Sequence, residues 1–432
     1  MKQDGRANGF DQTLDGWVRV ALGRGVRTFP ELVQSLPGVY PADVLRAVGR
    51  LRQELPVGWQ LSAPPSVAQP MQGWPVEHPL DFDWRFTAEA VRLLIERCQG
   101  RTFDSVTFLG APSLAREAVA RARWASVSLF DQNPAIVEAI RASLRGVTVT
   151  CIDLVWGDPV GVGDTAVAMA DPPWYPEHIG AFLWAAGRLT RLGGRVLLSL
   201  PPVGTRPGIS AEREAVFEWA AAFGLQLDSI APGVLGYRTP PFERNALAAA
   251  GVPAVPLDWR RGDLAEFVVT DKTSVGRPTP FEPADQWDQE AIGVVRIMCK
   301  RCSDRLFHDP TLLPAVAGDI LPSVSRRNPM RAAAEVWTCG NRVFRCKGVG
   351  VFRVILSALG RGADVNAAVA RMIGREPSSQ ERKMVQRATD QVIALAHTET
   401  MEIVHGYAAP LGWGGIMHTS EERTGPASEN QC

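Results

Sequence analysis

A chain of 432 residues is longer than one ordinary core requires, so two or three domains of roughly 100–200 residues each are expected. With 46% hydrophobic and 21% charged residues the composition is that of a globular protein, and 46 basic against 46 acidic residues exclude a general attraction to polyanions. The opening Met1-Lys-Gln-Asp-Gly-Arg has no apolar signal region, and no run of about 18 apolar residues follows, which predicts a cytoplasmic location and no membrane contact.

Three short helical patterns come first, Leu14 to Leu22, Phe29 to Leu36 and Ala42 to Leu51, the second opened by a capping box from Thr28 to Glu31. Tight Gly and Pro turns between them predict a winged-helix-like unit over residues 1–60, acting as a DNA reader, a lid or a dimerisation module, so a homodimer is open. Residues 61–85 are crowded with proline and read as a stiff linker. Its last part, His78-Pro-Leu-Asp81-Phe82-Asp83-Trp84-Arg85, is dense in aromatics and charge, and suits either a segment folded over a ligand mouth or a simple anchor to the core.

From 86 to 272 strands and helices alternate, which predicts an α/β domain with a doubly wound, Rossmann-like sheet covered on both faces. Gly110 lies in the turn after the first strand, where a ligand can approach the backbone. Asp131 ends the second strand, where a carboxylate can take both hydroxyls of a ribose or cap the next helix. Asp153 follows the third strand. The apolar run Thr165 to Ala170 reads as a buried strand that stops at Asp171-Pro172-Pro173-Trp174-Tyr175, because two prolines can neither continue a ladder nor enter a helix interior.

That loop fits transfer to an amino nitrogen. A conjugated amine is a poor nucleophile until its N–H groups are held, and Asp171 with the Pro172 carbonyl can accept them, while Trp174 or Tyr175 stacks on a flat acceptor. Asp171 as a helix cap and Trp174 as a core residue is the structural alternative. Arg206, in the loop after the fifth strand, could hold an acceptor phosphate or face water, and the irregular region from Pro232 to Asp263 is long enough to be a binding loop.

The Asp171-Pro-Pro-Trp174 tetrapeptide resembles the catalytic loop of S-adenosylmethionine-dependent amino-methyltransferases, in the branch that acts on adenine N6. Over about Asp104 to Thr270, the order of glycine turn, acidic strand end and this loop looks like a class I methyltransferase. The resemblance implies S-adenosylmethionine as cofactor, held by Gly110, Asp131 and Asp153, with Asp171, Pro172, Pro173 and Trp174 catalytic and Tyr175 and Arg206 on the acceptor. The chain is also distantly similar to the branched-polyamine synthases, which are aminopropyltransferases. Those carry an acidic run after the first glycine where this chain has Ala111-Pro112-Ser113, so the shared scaffold is what that likeness implies. A regulator that keeps the fold without catalysis is the alternative from a different class.

A C-terminal helical domain is expected over 285–410, again winged-helix-like, with a first helix from Asp288 to Arg301 and later helices near Gly350 to Leu359, Val365 to Met372 and Arg382 to Ile403. Residues 411–432 read as a flexible tail. Cys299, Cys302, Cys339 and Cys346 lack the paired spacing of a zinc site and read as free thiols, so no metal is expected. Arginines concentrate from Arg326 to Arg375, including Arg327, Arg342 and Arg345, a pattern that fits either a nucleic-acid contact or a solvated face.

Overall fold

The computed structural model describes residues 3–61, 73–99, 104–121, 124–160, 164–253, 255–272, 275–278, 286–303 and 305–405. Residues 62–72 of the Pro-rich linker and the whole 411–432 tail lie outside them. The chain divides into two compact units, Met1–Ala284 and Asp285–Cys432.

The first unit begins with α1 (Gln3–Gly23), α2 (Phe29–Ser35) and α3 (Pro41–Arg50). Thr28 and Glu31 form the expected capping box at α2. No strand pair forms a wing here among the described residues; Thr28 and Gln60 make only an isolated parallel bridge. Three basic residues of this part are paired, Arg19 with Glu54 at 2.8 Å, Arg50 with Asp15 at 2.7 Å and Arg46 with Asp43. Leu14, Phe29, Leu32 and Val44 instead share a core with Leu247, Val252 and Trp259 from the far end of the same unit.

After α4 (Ala88–Cys98) come β1 (Ser105–Leu109), α5 (Pro112–Arg121), β2 (Ser126–Asp131), α6 (Pro134–Ser143), β3 (Val147–Cys151), β4 (Thr165–Ala170), α7 (Pro176–Leu189), β5 (Thr190–Leu200), α8 (Ile209–Ala222), β6 (Leu225–Gly236), α9 (Pro241–Ala249) and β7 (Arg261–Val269). The seven strands lie in the order β3-β2-β1-β4-β5-β7-β6, all parallel except β7. Leu94, Leu114 and Ile136 fill one face of the sheet, and Ile179, Leu183 and Val216 fill the other. With both faces covered, β4 is buried along its whole length, which is why its sequence is an unbroken apolar run. The stretch from Pro232 to Asp263, expected to be irregular, holds the end of β6 and all of α9.

The second unit corrects the expectation of an all-helical domain. It opens on a five-stranded antiparallel sheet made of β8 (Trp287–Ile292), β9 (Val295–Lys300), β10 (Leu313–Pro314), β11 (Val336–Thr338) and β12 (Val343–Arg345), in the order β10-β12-β11-β9-β8. The expected helix Asp288 to Arg301 is the β8–β9 hairpin: Gly293, at φ +59°, makes a turn that a helix cannot contain, and Val295 and Ile297 are β-branched residues suited to a sheet. Three helices follow, α10 (Val349–Gly360), α11 (Val365–Ile373) and α12 (Ser379–His405), the last opened by reciprocal hydrogen bonds between Ser378 and Glu381.

The arginine-rich stretch does not form one continuous positive face. Arg342 is 1% exposed and pairs with Glu402 at 2.7 Å and Glu399 at 3.3 Å; Arg353 pairs with Asp288; and Arg331 lies over the Trp337 ring at 4.5 Å. Cys299, Cys339 and Cys346 are buried free thiols and Cys302 is an exposed one. Among the described residues no cluster of His, Cys, Asp and Glu could hold a metal, and no helix is long and apolar enough to cross a membrane.

Candidate functional site

The pairing of β1 aligns Leu109 with Phe130 of β2 and with Ala170 of β4. Gly110, Asp131 and Asp171, each the last residue of its strand or the one after it, therefore stand side by side at the carboxyl ends of three adjacent strands. The strand order reverses between β1 and β4, which is where open α/β sheets leave a crevice for ligands. Gly110 has φ +65°, and a side chain there would come within 3.0 Å of the Asp171 carbonyl oxygen and the Phe182 ring, so the turn after β1 is both left-handed and closely packed.

Asp131 is half-buried. Its Oδ1 accepts the Asn133 N–H at 2.8 Å, and Asn133 caps α6 while donating from Nδ2 to Asp81 Oδ2 at 2.9 Å. Burial pushes the Asp131 carboxyl up to about 7; the Asn133 N–H and Arg85 oppose that rise, and the charges of Asp83 and Asp81 add to it. Asp153 has one oxygen committed to its own turn, accepting the Val155 N–H at 2.9 Å.

The segment before α4 closes over this mouth. Arg85 is anchored by Asp83 at 2.8 Å, Glu77 at 3.3 Å and the Pro75 carbonyl at 2.6 Å. From that anchor Asp81 reaches the loop after β2, and the Phe82 ring meets Tyr175 at 6.0 Å and His178 at 5.6 Å, edge to face. Phe82 has φ +56°, a conformation that costs a bulky residue energy and persists where its surroundings enforce it.

Asp171 is also half-buried, recessed among protein atoms yet retaining accessible surface. The Tyr237 hydroxyl donates to its Oδ1 at 2.6 Å; Ser199 Oγ lies 2.5 Å from that hydroxyl, and Trp174 Nε1 donates to Ser199 Oγ at 3.1 Å. Burial pushes the Asp171 carboxyl up to about 7. Hydrogen bonding from Tyr237 and Ser199 and the charge of Arg260 hold it down, and Asp83 raises it further. An aspartate so placed can accept a proton near neutral pH.

Trp174 is 5% exposed, stands edge to face with Tyr237 at 5.6 Å and carries the Arg260 guanidinium over its ring at 4.2 Å. Its face is thus taken, and Tyr175 is the half-exposed ring of the loop. Arg206 does not face water: it donates to the Trp174 carbonyl at 2.7 Å, pairs with Glu212 and lies 5.9 Å from the Tyr175 ring. Pro172 is buried and Pro173 half-buried, and the Pro173 carbonyl accepts the Tyr175 N–H at 2.7 Å.

Sequence reasoning did not single out Ser199, Tyr237, Glu243 or Arg260. Ser199 carried one faint signal, a lone hydroxyl inside the apolar run of β5, and Tyr237 and Arg260 fall within the stretch marked as a long binding loop. The three N-terminal helices close this side of the site. Gly38, at φ +81° between α2 and α3, packs so tightly on Pro202 that a side chain would come within 2.5 Å of it, and the Tyr40 ring meets Trp259 edge to face at 5.7 Å.

The chain superposes on the branched-chain polyamine synthase of Thermus thermophilus in complex with N4-aminopropylspermidine and 5'-methylthioadenosine, with a TM-score of 0.51, 15% identity, and 65% of this chain and 95% of that chain covered. An engineered form of the same synthase, bound to the same two molecules, gives a TM-score of 0.51 and 15% identity over 63% of this chain and 93% of that one. At this identity the likeness shows a shared fold. No protein-family model and no curated protein matches the sequence.

Proposed function

We propose that the first unit is a transferase that takes a methyl group from S-adenosylmethionine and passes it to an amino nitrogen, with the exocyclic amine of adenine, free or in nucleic acid, as the acceptor chemistry that fits its loop. The observation that carries this reading is the alignment of Gly110, Asp131 and Asp171 on three adjacent strand ends at the reversal point of the sheet.

The cofactor would supply a methyl group on a sulfonium. Asp131, with one oxygen on the Asn133 N–H, keeps the other for ribose hydroxyls, and Asp153 keeps an oxygen for an adenine amine. The segment carrying Asp81 and Phe82 excludes water above them. Asp171 has Oδ1 fixed by Tyr237, so Oδ2 and the Pro172 carbonyl accept the two N–H groups of the acceptor, and Asp171 takes the proton that the nitrogen sheds. Tyr175 offers the stacking ring.

The test is transfer of labelled methyl to a panel of nucleic acids, nucleotides and amines. Asp171→Asn should lower turnover about a hundredfold while cofactor affinity, read by calorimetry, changes little. Full turnover in that variant would overturn the assignment. A second reading, aminopropyl transfer from the decarboxylated cofactor, draws its support from the fold shared with the polyamine synthase over nearly that whole chain. Binding of the two cofactor forms side by side separates the readings.

A further inference from the structure

Arg260, immediately before β7, plays no part in the transfer step above. Its guanidinium packs against two aromatic rings, Trp84 at 4.1 Å and Trp174 at 4.2 Å. It is half-buried, and among the described residues its side chain forms no hydrogen bond and no ion pair. Burial lowers its pKa, the charge of Glu243 works the other way, and Arg206 adds like-charge repulsion.

Neither nearby acid satisfies it. Glu243 is fully buried, its two carboxyl oxygens make no hydrogen bond, and burial pushes it up to about 7 against the charge of Arg260 and the neighbouring Tyr40 hydroxyl. Asp171 is raised to about 7 as well, with Oδ1 committed to Tyr237. Arg260 itself is half-buried; a guanidinium stays charged through this range, and a charge partly withdrawn from water gains most from an anionic partner. With its faces against rings, what remains is its planar edge, whose parallel N–H groups match the two oxygens of a carboxylate or phosphate.

We propose that Arg260 is a recognition site for an oxyanion carried by the ligand that lies beside Asp171 and Tyr175. Two ligands bring that chemistry: an acceptor with a phosphate or carboxylate near its amine, or the methionine carboxylate of the cofactor, which the decarboxylated form lacks. In either case the fixed positive charge disfavours a polycationic acceptor. The identity of the ligand rests on the transferase reading; the anion site itself can be tested without turnover.

The experiment compares the wild type with Arg260→Met, Arg260→Lys and Glu243→Gln. Melting is followed in chloride and in inorganic phosphate, and binding of S-adenosylmethionine, its decarboxylated form and adenosine 5'-monophosphate is followed by calorimetry. Phosphate should raise the melting temperature of the wild type and of Arg260→Lys but not of Arg260→Met. In chloride Arg260→Met should melt no lower than the wild type, because it removes a half-buried charge that has no anionic partner. If the cofactor is the source, the wild type should hold S-adenosylmethionine at least about tenfold tighter than the decarboxylated form, and Arg260→Met should close the gap. If the acceptor is the source, both cofactor forms should bind the variant normally and the nucleotide should bind it about tenfold more weakly. A phosphate response that depends on Arg260, in a protein that binds neither cofactor form, would leave the oxyanion site standing and remove the transferase reading. The proposal is overturned if phosphate acts equally on wild type and Arg260→Met, or if Arg260→Met and Glu243→Gln both melt several degrees lower in chloride, which would make Arg260 a structural cation balanced by Glu243.

Discussion

The Tyr237 hydroxyl donates to Asp171 Oδ1 at 2.6 Å, across 66 positions of sequence. This bond decides which oxygen of Asp171 faces a ligand, and it favours the charged form of the carboxyl. Tyr237→Phe should lower turnover about tenfold, since a hydrogen bond to a charged group is worth about 1.5–3 kcal/mol. The acid limb of the pH–rate profile should move up by about one unit, because one unit corresponds to about 1.4 kcal/mol. A residue that merely filled space would lower activity without moving that limb.

Asp131→Ala should weaken binding of S-adenosylmethionine at least about tenfold, through loss of hydrogen bonds to a charged group. Because burial holds the Asp131 carboxyl up to about 7, affinity in the wild type should rise as pH climbs through that value, and the variant should lose the dependence. Calorimetry at several pH values checks both points.

Asp131, Asp171 and Glu243 each sit well above their ordinary range, at about 7. Between about pH 4 and 7 the folded protein therefore binds more protons than the unfolded chain, so stability is highest at the acid side of this window and falls as pH rises through it. Thermal melts of the ligand-free protein should show that fall, and Asp171→Asn should flatten part of it.

Trp174→Ala should act on stability before it acts on binding. The side chain is nearly fully buried, bonded to Ser199 and packed against Tyr237, and truncating such a residue costs about 3–5 kcal/mol. Denaturant unfolding should show a midpoint shifted strongly down. Tyr175→Ala should leave that midpoint nearly unchanged and weaken the acceptor instead.

Gly110, Asp131 and Asp171 could be found from sequence because each marks the end of an apolar run, and in a parallel sheet such ends fall on one edge whatever the rest of the chain does. Ser199, Tyr237 and Arg260 could not: Ser199 comes beside Asp171 through the register of β5 on β4, and Tyr237 and Arg260 through the pairing of β5 with β7 and of β7 with β6, registers that no local pattern encodes. The hairpin from Trp287 to Lys300 reads as a helix in the sequence for a related reason: a short apolar run with one glycine in it fits a helix face as well as two strands. Arginine density between Arg326 and Arg375 records how many charges are present and not that Arg342 turns inward to Glu399 and Glu402.

The shared core of the N-terminal helices with Leu247, Val252 and Trp259 sets an order of events during synthesis. Phe29 and Leu32 leave the ribosome about 200 residues before those partners, a delay on the order of 10–40 s at about 5–20 residues per second. Throughout it their apolar faces lack a complete docking surface and are open to a chaperone or to a neighbouring nascent chain. The three helices are thus made well before the residues that seat them. Proteolysis of stalled nascent chains would register this as protection of α1 to α3 only once Trp259 has emerged, and protection of shorter chains would show that the three helices settle by themselves.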